Sequence, residues 1–269
     1  MARLLDKVAL ITGSSSGMGR AIALRYANEG AHVVCADLSP TARSLIPEEV
    51  EITTHDAIIK AGGRAIYVQT DVSEAQQMER AVQAAVVEFG RLDILVNNAG
   101  VSTDARNPAR VHETDEYEWD KVMRVNTKSV FLGCKYAIAQ MLQQEPHSSG
   151  DRGWVVNISS VWGLVGGPRT PAYCASKAAV ANLTRQIAVD YAPDRIYVNA
   201  ICPGVIRTAM IREVEKSSPS LLEDLRRRQP FNGFGQPDDV ARMAVVLASD
   251  DASLVTGVAL PVDGGFTAH

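Results

Sequence analysis

Cysteine is scarce. Four thiols, Cys35, Cys134, Cys174 and Cys202, are scattered through 269 residues, with no pair at metal-binding spacing. That excludes a disulfide framework and a cysteine-bound metal centre, and it fits reduced thiols in a cytoplasmic protein. Long apolar runs are missing too: none approaches the ~18 residues that span a bilayer. The opening Met-Ala-Arg-Leu-Leu-Asp-Lys leads directly into a strand pattern at Val8, without a secretory leader. No membrane contact is expected. Neither sign of charge dominates, since 27 Lys and Arg face 31 Asp and Glu for a net charge of −4. A nucleic-acid partner is therefore not expected. The one basic cluster, Arg226-Arg227-Arg228, reads as a solvated helix face.

What is present is alternation. Strand-like runs fall at Val8–Thr12, His32–Ala36, Ala65–Gln69, Ile94–Val96, Trp154–Ile158, Tyr197–Ile201 and Ala259–Val262. Helical patterns separate them at Gly19–Asn28, Thr54–Ala61, Glu74–Glu88, Glu116–Gln144, Ala172–Tyr191 and Asp238–Ala248. Strands that are apolar throughout are those buried on both faces. Regular alternation with helices builds βαβ units with right-handed crossovers. The expected fold is α/β: a single doubly wound domain over residues 1–269, with a seven-stranded, mostly parallel sheet and helices on both faces. Leu38–Val50, with Pro40 and Pro47, reads as an exposed loop. Thr208–Gln229 reads as a polar helical stretch in a lid insertion at about 205–235. His112 and His147 read as surface residues, and Asp263-Gly264-Gly265 as a terminal turn.

Tyr173 and Lys177 stand four residues apart in a helical pattern, so a phenol and an ammonium share one face. Free tyrosine titrates near ~10, and a neighbouring cation favours the phenolate. A phenol lowered by about two units exchanges protons with an alcohol near neutral pH; an ordinary solvated helix face is the alternative. The first strand ends in Gly13-Ser14-Ser15-Ser16-Gly17-Met18-Gly19 and then a helix. Glycines let the backbone turn sharply and approach a pyrophosphate, while the helix N-terminus offers free N–H groups. Asp37 closes the second strand, where a carboxylate accepts hydrogen bonds from the 2′-hydroxyl of NAD and repels the 2′-phosphate of NADP. NAD is therefore expected, with NADP second; Arg20 and Arg43 are the cations placed to compensate. Asp71, Asn97-Asn98-Ala99-Gly100, Ser159-Ser160 and Pro203-Gly204 follow the third to sixth strands. All fall at strand C-termini, the edge of an open α/β sheet at which ligands bind.

In their order and spacing these motifs resemble the short-chain dehydrogenase/reductase family over essentially the whole chain. The matching runs are Thr12-Gly-x-x-x-Gly-x-Gly19, Asp71-Val72, Asn97-Asn-Ala-Gly100, Asn126, Ser160, Tyr173-x-x-x-Lys177 and Pro203-Gly204. The resemblance implies a Rossmann-type fold and a tetrad of Asn126, Ser160, Tyr173 and Lys177. Ser160 is chosen over Ser159 because the family's serine sits thirteen residues before its tyrosine. By the same resemblance Tyr173 is the general acid/base, Lys177 lowers its pKa and holds the nicotinamide ribose, and Ser160 donates to the substrate oxygen. Asn126 supports a water linking Lys177 to solvent. The implied cofactor contacts are Gly13, Ser15, Ser16, Gly17, Met18 and Gly19, with Asp37 and Leu38 after the second strand. Asp71 and Val72 are placed at the adenine and Asn98 near the ribose, beside Ala99 and Gly100. Ile206 and Thr208, after Pro203-Gly204, meet the carboxamide. No metal is implied, and a homotetramer is.

Two segments exceed the family's usual length, Leu38–Thr54 and Ser102–Thr114. The second borders the expected substrate mouth, and its Arg106 and Arg110 belong to a solvated loop or meet an anionic substrate. Val161–Gly167 is largely apolar, which favours a cyclic or otherwise hydrophobic secondary alcohol or ketone. Trp162 in that run lines the cleft or packs in the core. Cys174 reads as a packed thiol, with no histidine near it in sequence. The expected activity is NAD(P)-dependent interconversion of a secondary alcohol and a ketone. The alternatives are a non-redox enzyme on the same fold and an NAD-binding regulator.

Overall fold

Runs of Val, Ile and Leu that are apolar on both faces need helices on both sides, and a computed structural model of the chain places them so. It describes residues 2–42, 47–104, 107–209, 211–212, 219–231 and 233–268. The elements are β1 (Val8–Thr12), α1 (Gly17–Asn28), β2 (His32–Asp37), α2 (Pro47–Val50), α3 (Thr54–Lys60), β3 (Ala65–Gln69), α4 (Ala75–Phe89), β4 (Ile94–Asn97), α5 (Glu116–Met123), α6 (Ser129–Gln143), β5 (Gly153–Ile158), α7 (Pro171–Tyr191), β6 (Ile196–Pro203), α8 (Pro219–Arg227), α9 (Pro237–Leu247) and β7 (Ala259–Val262). The seven strands form one sheet in the order β3-β2-β1-β4-β5-β6-β7. Every pairing is parallel, so no strand departs from the main direction. The chain fills one half outward from β1 to β3, then returns to start the other half at β4. The switch point lies between β1 and β4, and crevices open at such points.

Alternate side chains of each strand enter opposite layers. Ala9 and Ile11 of β1 join Ile22 and Tyr26 of α1 and Val240 and Val245 of α9. Val8 and Leu10 join Val82 of α4, Met141 of α6 and Val180 of α7. Local signals set the helix ends: Thr53 and Asp115 cap α3 and α5 through their side chains, and Pro171 opens α7, where its missing N–H costs nothing. Helices α5 and α6 run on through a π-turn at Arg124–Lys128. Such a turn shifts one residue out of register and is frequent at functional sites.

Three sequence expectations change. His147 is not a plain surface residue: its Nε2 lies 2.9 Å from Oδ1 of Asp93, a fully buried carboxylate that also accepts from Val8 N–H and Arg91. The sequence separation of 54 hid that contact, which ties the sheet's N-terminal edge away from the ligand edge. Leu38–Val50 is not simply exposed, because Ala42 and Glu49 are buried. The insertion around 205–235 is closed at its stem, where Arg207 N–H donates to Gly235 O and Gly235 N–H donates to Val205 O, both at 2.9 Å. Within it α8 is helical as expected, while 210, 213–218 and 232 lie outside the described residues, as do Arg43 and Arg106.

Candidate active site

Two adjoining cavities open along the C-terminal edge of the sheet. The larger, about 490 Å³, is walled by Gly13, Ser16, Gly17, Met18, Asp37, Leu38, Asp71, Val72, Asn98, Ala99, Gly100 and Lys177. The smaller, about 150 Å³, is walled by Ser160, Trp162, Pro203, Gly204, Ile206 and Thr208, together with Ser102, Asp104 and Leu225. Tyr173 lines both. The larger one is the roomier of the two, and its walls include the glycine-rich turn.

The glycine-rich turn shows why its residues are glycines. Gly13 and Gly17 have φ of +64° and +55°, a region that side chains avoid. A Cβ on Gly19 would land on the carbonyl oxygen of Gly13 and against Asn98 Nδ2. The first turn of α1 therefore packs so closely on the loop that only glycine leaves the cradle open. That cradle, with Asp37 at its rim, fits a dinucleotide. Asp37 Oδ2 accepts Ser15 N–H at 3.0 Å and Oδ1 accepts Leu38 N–H at 2.7 Å. Asn98 spends its carboxamide on structure: Nδ2 donates to the carbonyls of Thr12 and Gly13, locking the end of β4 to the turn. One Asp71 oxygen caps its own turn by accepting from Ser73. Gly19→Ala is expected to weaken NADH binding by at least about a hundredfold, the order of a 3 kcal/mol overpacking penalty. NADH fluorescence titration checks this, with circular dichroism to confirm that the variant is folded.

Arg20 is buried and donates to Thr54 Oγ1, which in turn donates to Ser14 O. It supports the turn from behind and does not offer its charge to a 2′-phosphate. Glu49, absent from the sequence reading, is 8% exposed and accepts Gly17 N–H through Oε1 at 2.7 Å. A second carboxylate thus stands at the glycine-rich turn, on its phosphate side, without lining the cavity itself. Its only sequence signal was the extra length of its loop.

At the other end, α7 delivers Tyr173 and Lys177 on one face as their spacing requires. Lys177 is 4% exposed, donates to Ile158 O at 2.8 Å, and has its ammonium 5.7 Å from the centroid of the Tyr173 ring. Burial pushes Lys177 down to about 8. Burial also pushes the Tyr173 phenol up to about 12, against the pull of the Ser160 hydroxyl. The expected lowering of Tyr173 below its ordinary value is therefore reversed. At 5.7 Å, and already bonded to a carbonyl, the ammonium does not outweigh loss of water around the phenol.

Both serines line the smaller cavity, but Ser159 Oγ donates to Lys177 O at 2.7 Å and is committed to the backbone, whereas Ser160 Oγ accepts Trp162 N–H and its hydroxyl acts on the Tyr173 phenol. This supports the choice between the two serines. Asn126, in the π-turn and fully buried, takes Val101 N–H on Oδ1 at 2.8 Å. Its Nδ2 donates to Val101 O and Ser176 Oγ. A Cβ on Gly100 would sit 3.2 Å from Asn126 Oδ1 and 3.5 Å from Lys177 Nζ, which shows how closely the three converge. Trp162 lines the cavity, half-buried and outside the core clusters, and meets Phe266 edge-on at 5.1 Å. The Cys174 thiol packs against Gly167 N–H and the Thr170 hydroxyl. Arg110 is exposed and outside the cavity walls. Sequence reading missed Gln229, a 2% exposed amide that clamps Val205 N–H and Gly233 O and so holds the insertion over the cavity. It also missed Asp104, a buried carboxylate in the wall of the smaller cavity. Among the described residues no His, Cys, Asp and Glu group could hold a metal, and no helix is long and apolar enough to cross a membrane.

A family profile described as Enoyl-(Acyl carrier protein) reductase matches residues 13–267. Cyclopentanol dehydrogenase of Comamonas sp. is 39% identical over 269 residues, covering 100% of both chains. The chain belongs to the short-chain dehydrogenase/reductase family. As a member it is an oxidoreductase of the secondary-alcohol dehydrogenase type that uses NAD(P). Carveol dehydrogenase from Mycobacterium avium, solved in complex with NAD, superposes with a TM-score of 0.88 at 30% identity, covering 100% of both chains. A putative 2-deoxy-d-gluconate 3-dehydrogenase from Agrobacterium tumefaciens, solved with bound NADP, gives 0.83 at 36% identity, covering 99% of this chain and 98% of its own. The short-chain dehydrogenase/reductase fold thus appears with either cofactor among these relatives.

Proposed function

We propose that the protein interconverts a small, largely apolar secondary alcohol and its ketone, using NAD in preference to NADP. The observation that carries this is the position of Tyr173, whose side chain forms part of both cavities and stands between Ser160 and Lys177. Nicotinamide, when bound, accepts or returns the hydride. In oxidation the Tyr173 phenolate takes the proton of the substrate hydroxyl; in reduction the phenol returns a proton to the carbonyl oxygen. Ser160 donates a hydrogen bond to that oxygen and fixes its approach. Lys177 stabilises the phenolate and, through its contact with Ile158 O, sits where cofactor ribose hydroxyls would reach it. Asn126 acts by position: it joins the loop after β4 to α7 and keeps Lys177 and Tyr173 in register.

Gly13, Ser15, Ser16, Gly17, Met18 and Gly19 form the phosphate side of the dinucleotide site, and Asp37 and Leu38 its ribose rim. Asp71, Val72, Asn98, Ala99 and Gly100 line the middle, and Pro203, Gly204, Ile206 and Thr208 the nicotinamide end. The preference for NAD rests on Asp37, the carboxylate at the rim of the cavity, and on Arg20 being turned inward. A homotetramer in the cytoplasm remains the expected assembly, with the half-covered edge strand β7 and the exposed Tyr117, Phe131 and Val189 as surfaces to be buried.

Reduced-nicotinamide formation by purified protein over cyclopentanol, cyclohexanol and 1-phenylethanol tests the reading. NAD-linked turnover is expected, with NADP worse by roughly a hundredfold in kcat/KM, as a few kcal/mol of like-charge repulsion requires. Equal use of NADP would overturn the preference. Product formation without reduced nicotinamide would overturn the redox chemistry itself.

A further inference from the structure

The smaller cavity is apolar except for its serines, threonines, Tyr173 and one carboxylate. Asp104 lies in its wall, on the long loop between β4 and α5, and is 4% exposed. Its Oδ2 accepts Tyr173 N–H at 2.9 Å, in the first turn of α7. That position caps the helix from a distant loop, and the helix dipole favours a negative charge there. Oδ1 makes no hydrogen bond among the described residues and is not sealed from solvent. No Lys or Arg is among the described residues of this wall. Burial pushes the Asp104 carboxyl up, so a partner donating a hydrogen bond would relieve a real cost.

We infer that Asp104 determines substrate class: the preferred substrate carries, on a compact apolar skeleton, a second hydroxyl that donates to Asp104 while the first reacts at Tyr173. The inference rests on the alcohol–ketone reading of the same site. It goes further in excluding substrates whose second group is anionic or only accepts hydrogen bonds, since these would face a carboxylate with no Lys or Arg among the described residues of its wall. A site built around a donor rejects the analogue that lacks it, because its own polar atom is then left unpaired.

The test compares 1,2-, 1,3- and 1,4-cyclohexanediols with their monomethyl ethers, in wild type and Asp104→Asn. Two readouts are taken: kcat/KM with NAD, and binding to the enzyme–NADH complex, in which alcohol and cofactor are both reduced and cannot react. For at least one isomer the diol is expected to exceed its ether by about tenfold or more in wild type. In Asp104→Asn the side-chain oxygen can still hold Tyr173 N–H while the amide turns a donor to the cavity. The diol-to-ether ratio is then expected to fall at least about tenfold. A merely structural role would lower diol and ether together and leave the ratio fixed, which would overturn the inference. A wild-type ratio near one for every isomer would overturn it without any variant. Absence of turnover with the binding ratio preserved would overturn the redox reading and leave the Asp104 assignment standing.

Discussion

Tyr173→Phe is expected to lower kcat/KM in both directions by about a thousandfold, within the ~10²–10⁴ that general acid–base catalysis contributes, while NADH binding persists. The substitution removes one oxygen from a side chain that α7 already holds in place, so the cavities keep their shape. No other group nearby can take over the proton. Asp104, the other ionisable side chain of the smaller cavity, has one oxygen on the Tyr173 backbone N–H. The Cys174 thiol is turned toward Gly167 and Thr170, and Lys177 faces the larger cavity. Steady-state rates for oxidation and reduction check this, alongside NADH fluorescence titration. Retention of more than about a tenth of the activity would mean that water or Ser160 carries the proton, and the proposed role of Tyr173 would fall.

The reach of the sequence differed from element to element for physical reasons. Strands buried on both faces announce themselves by composition, so β1, β2 and β5 were legible, while the order of the strands in the sheet was not read. The Tyr173–Lys177 pair was legible because helix geometry converts a spacing of four directly into adjacency. Contacts between segments remote in sequence were not. Asp104 reaches Tyr173 across 69 positions and Glu49 reaches Gly17 across 32, and no periodicity encodes either. Both lie in the two segments that looked too long, so the surplus length was visible while its use was not. Electrostatics was the least legible layer. A cation four residues away implies a lowered phenol, yet the direction depends on how much water the fold removes, which is a property of the walls supplied by β5, β6 and the insertion. Asn126 shows the same limit: its residue type was noticed, but the π-turn that aims it at Val101 and Ser176 leaves no mark in the pattern.

Lys177→Met tests that electrostatic layer. The substitution keeps length and apolar stem and removes the charge. Unit charges of opposite sign within one site attract by a few kcal/mol at an effective dielectric of ~20, on the order of two pKa units. Without the ammonium, the phenolate of Tyr173 becomes rarer still, and alcohol oxidation at neutral pH is expected to fall by about a hundredfold. Ketone reduction, which starts from the protonated phenol, is expected to lose less at the same pH. The pH profile gives the sharper signature. The competent state for oxidation, phenolate beside ammonium, holds one proton fewer than the fully protonated pair. Its population rises with pH until the pair loses its first proton, and Lys177 sits near 8. Beyond that the proton count of the pair stays constant until the phenol, near 12, gives up its own. Wild-type kcat/KM for oxidation should therefore rise tenfold per pH unit and level off near pH 8. In Lys177→Met only the phenol remains to titrate, so the curve should keep rising through pH 8 and on toward the alkaline limit of the folded protein. A variant that loses activity but still levels off near pH 8 would show that another group sets the inflection. Lys177 would then matter for holding the cofactor and not for the charge on Tyr173.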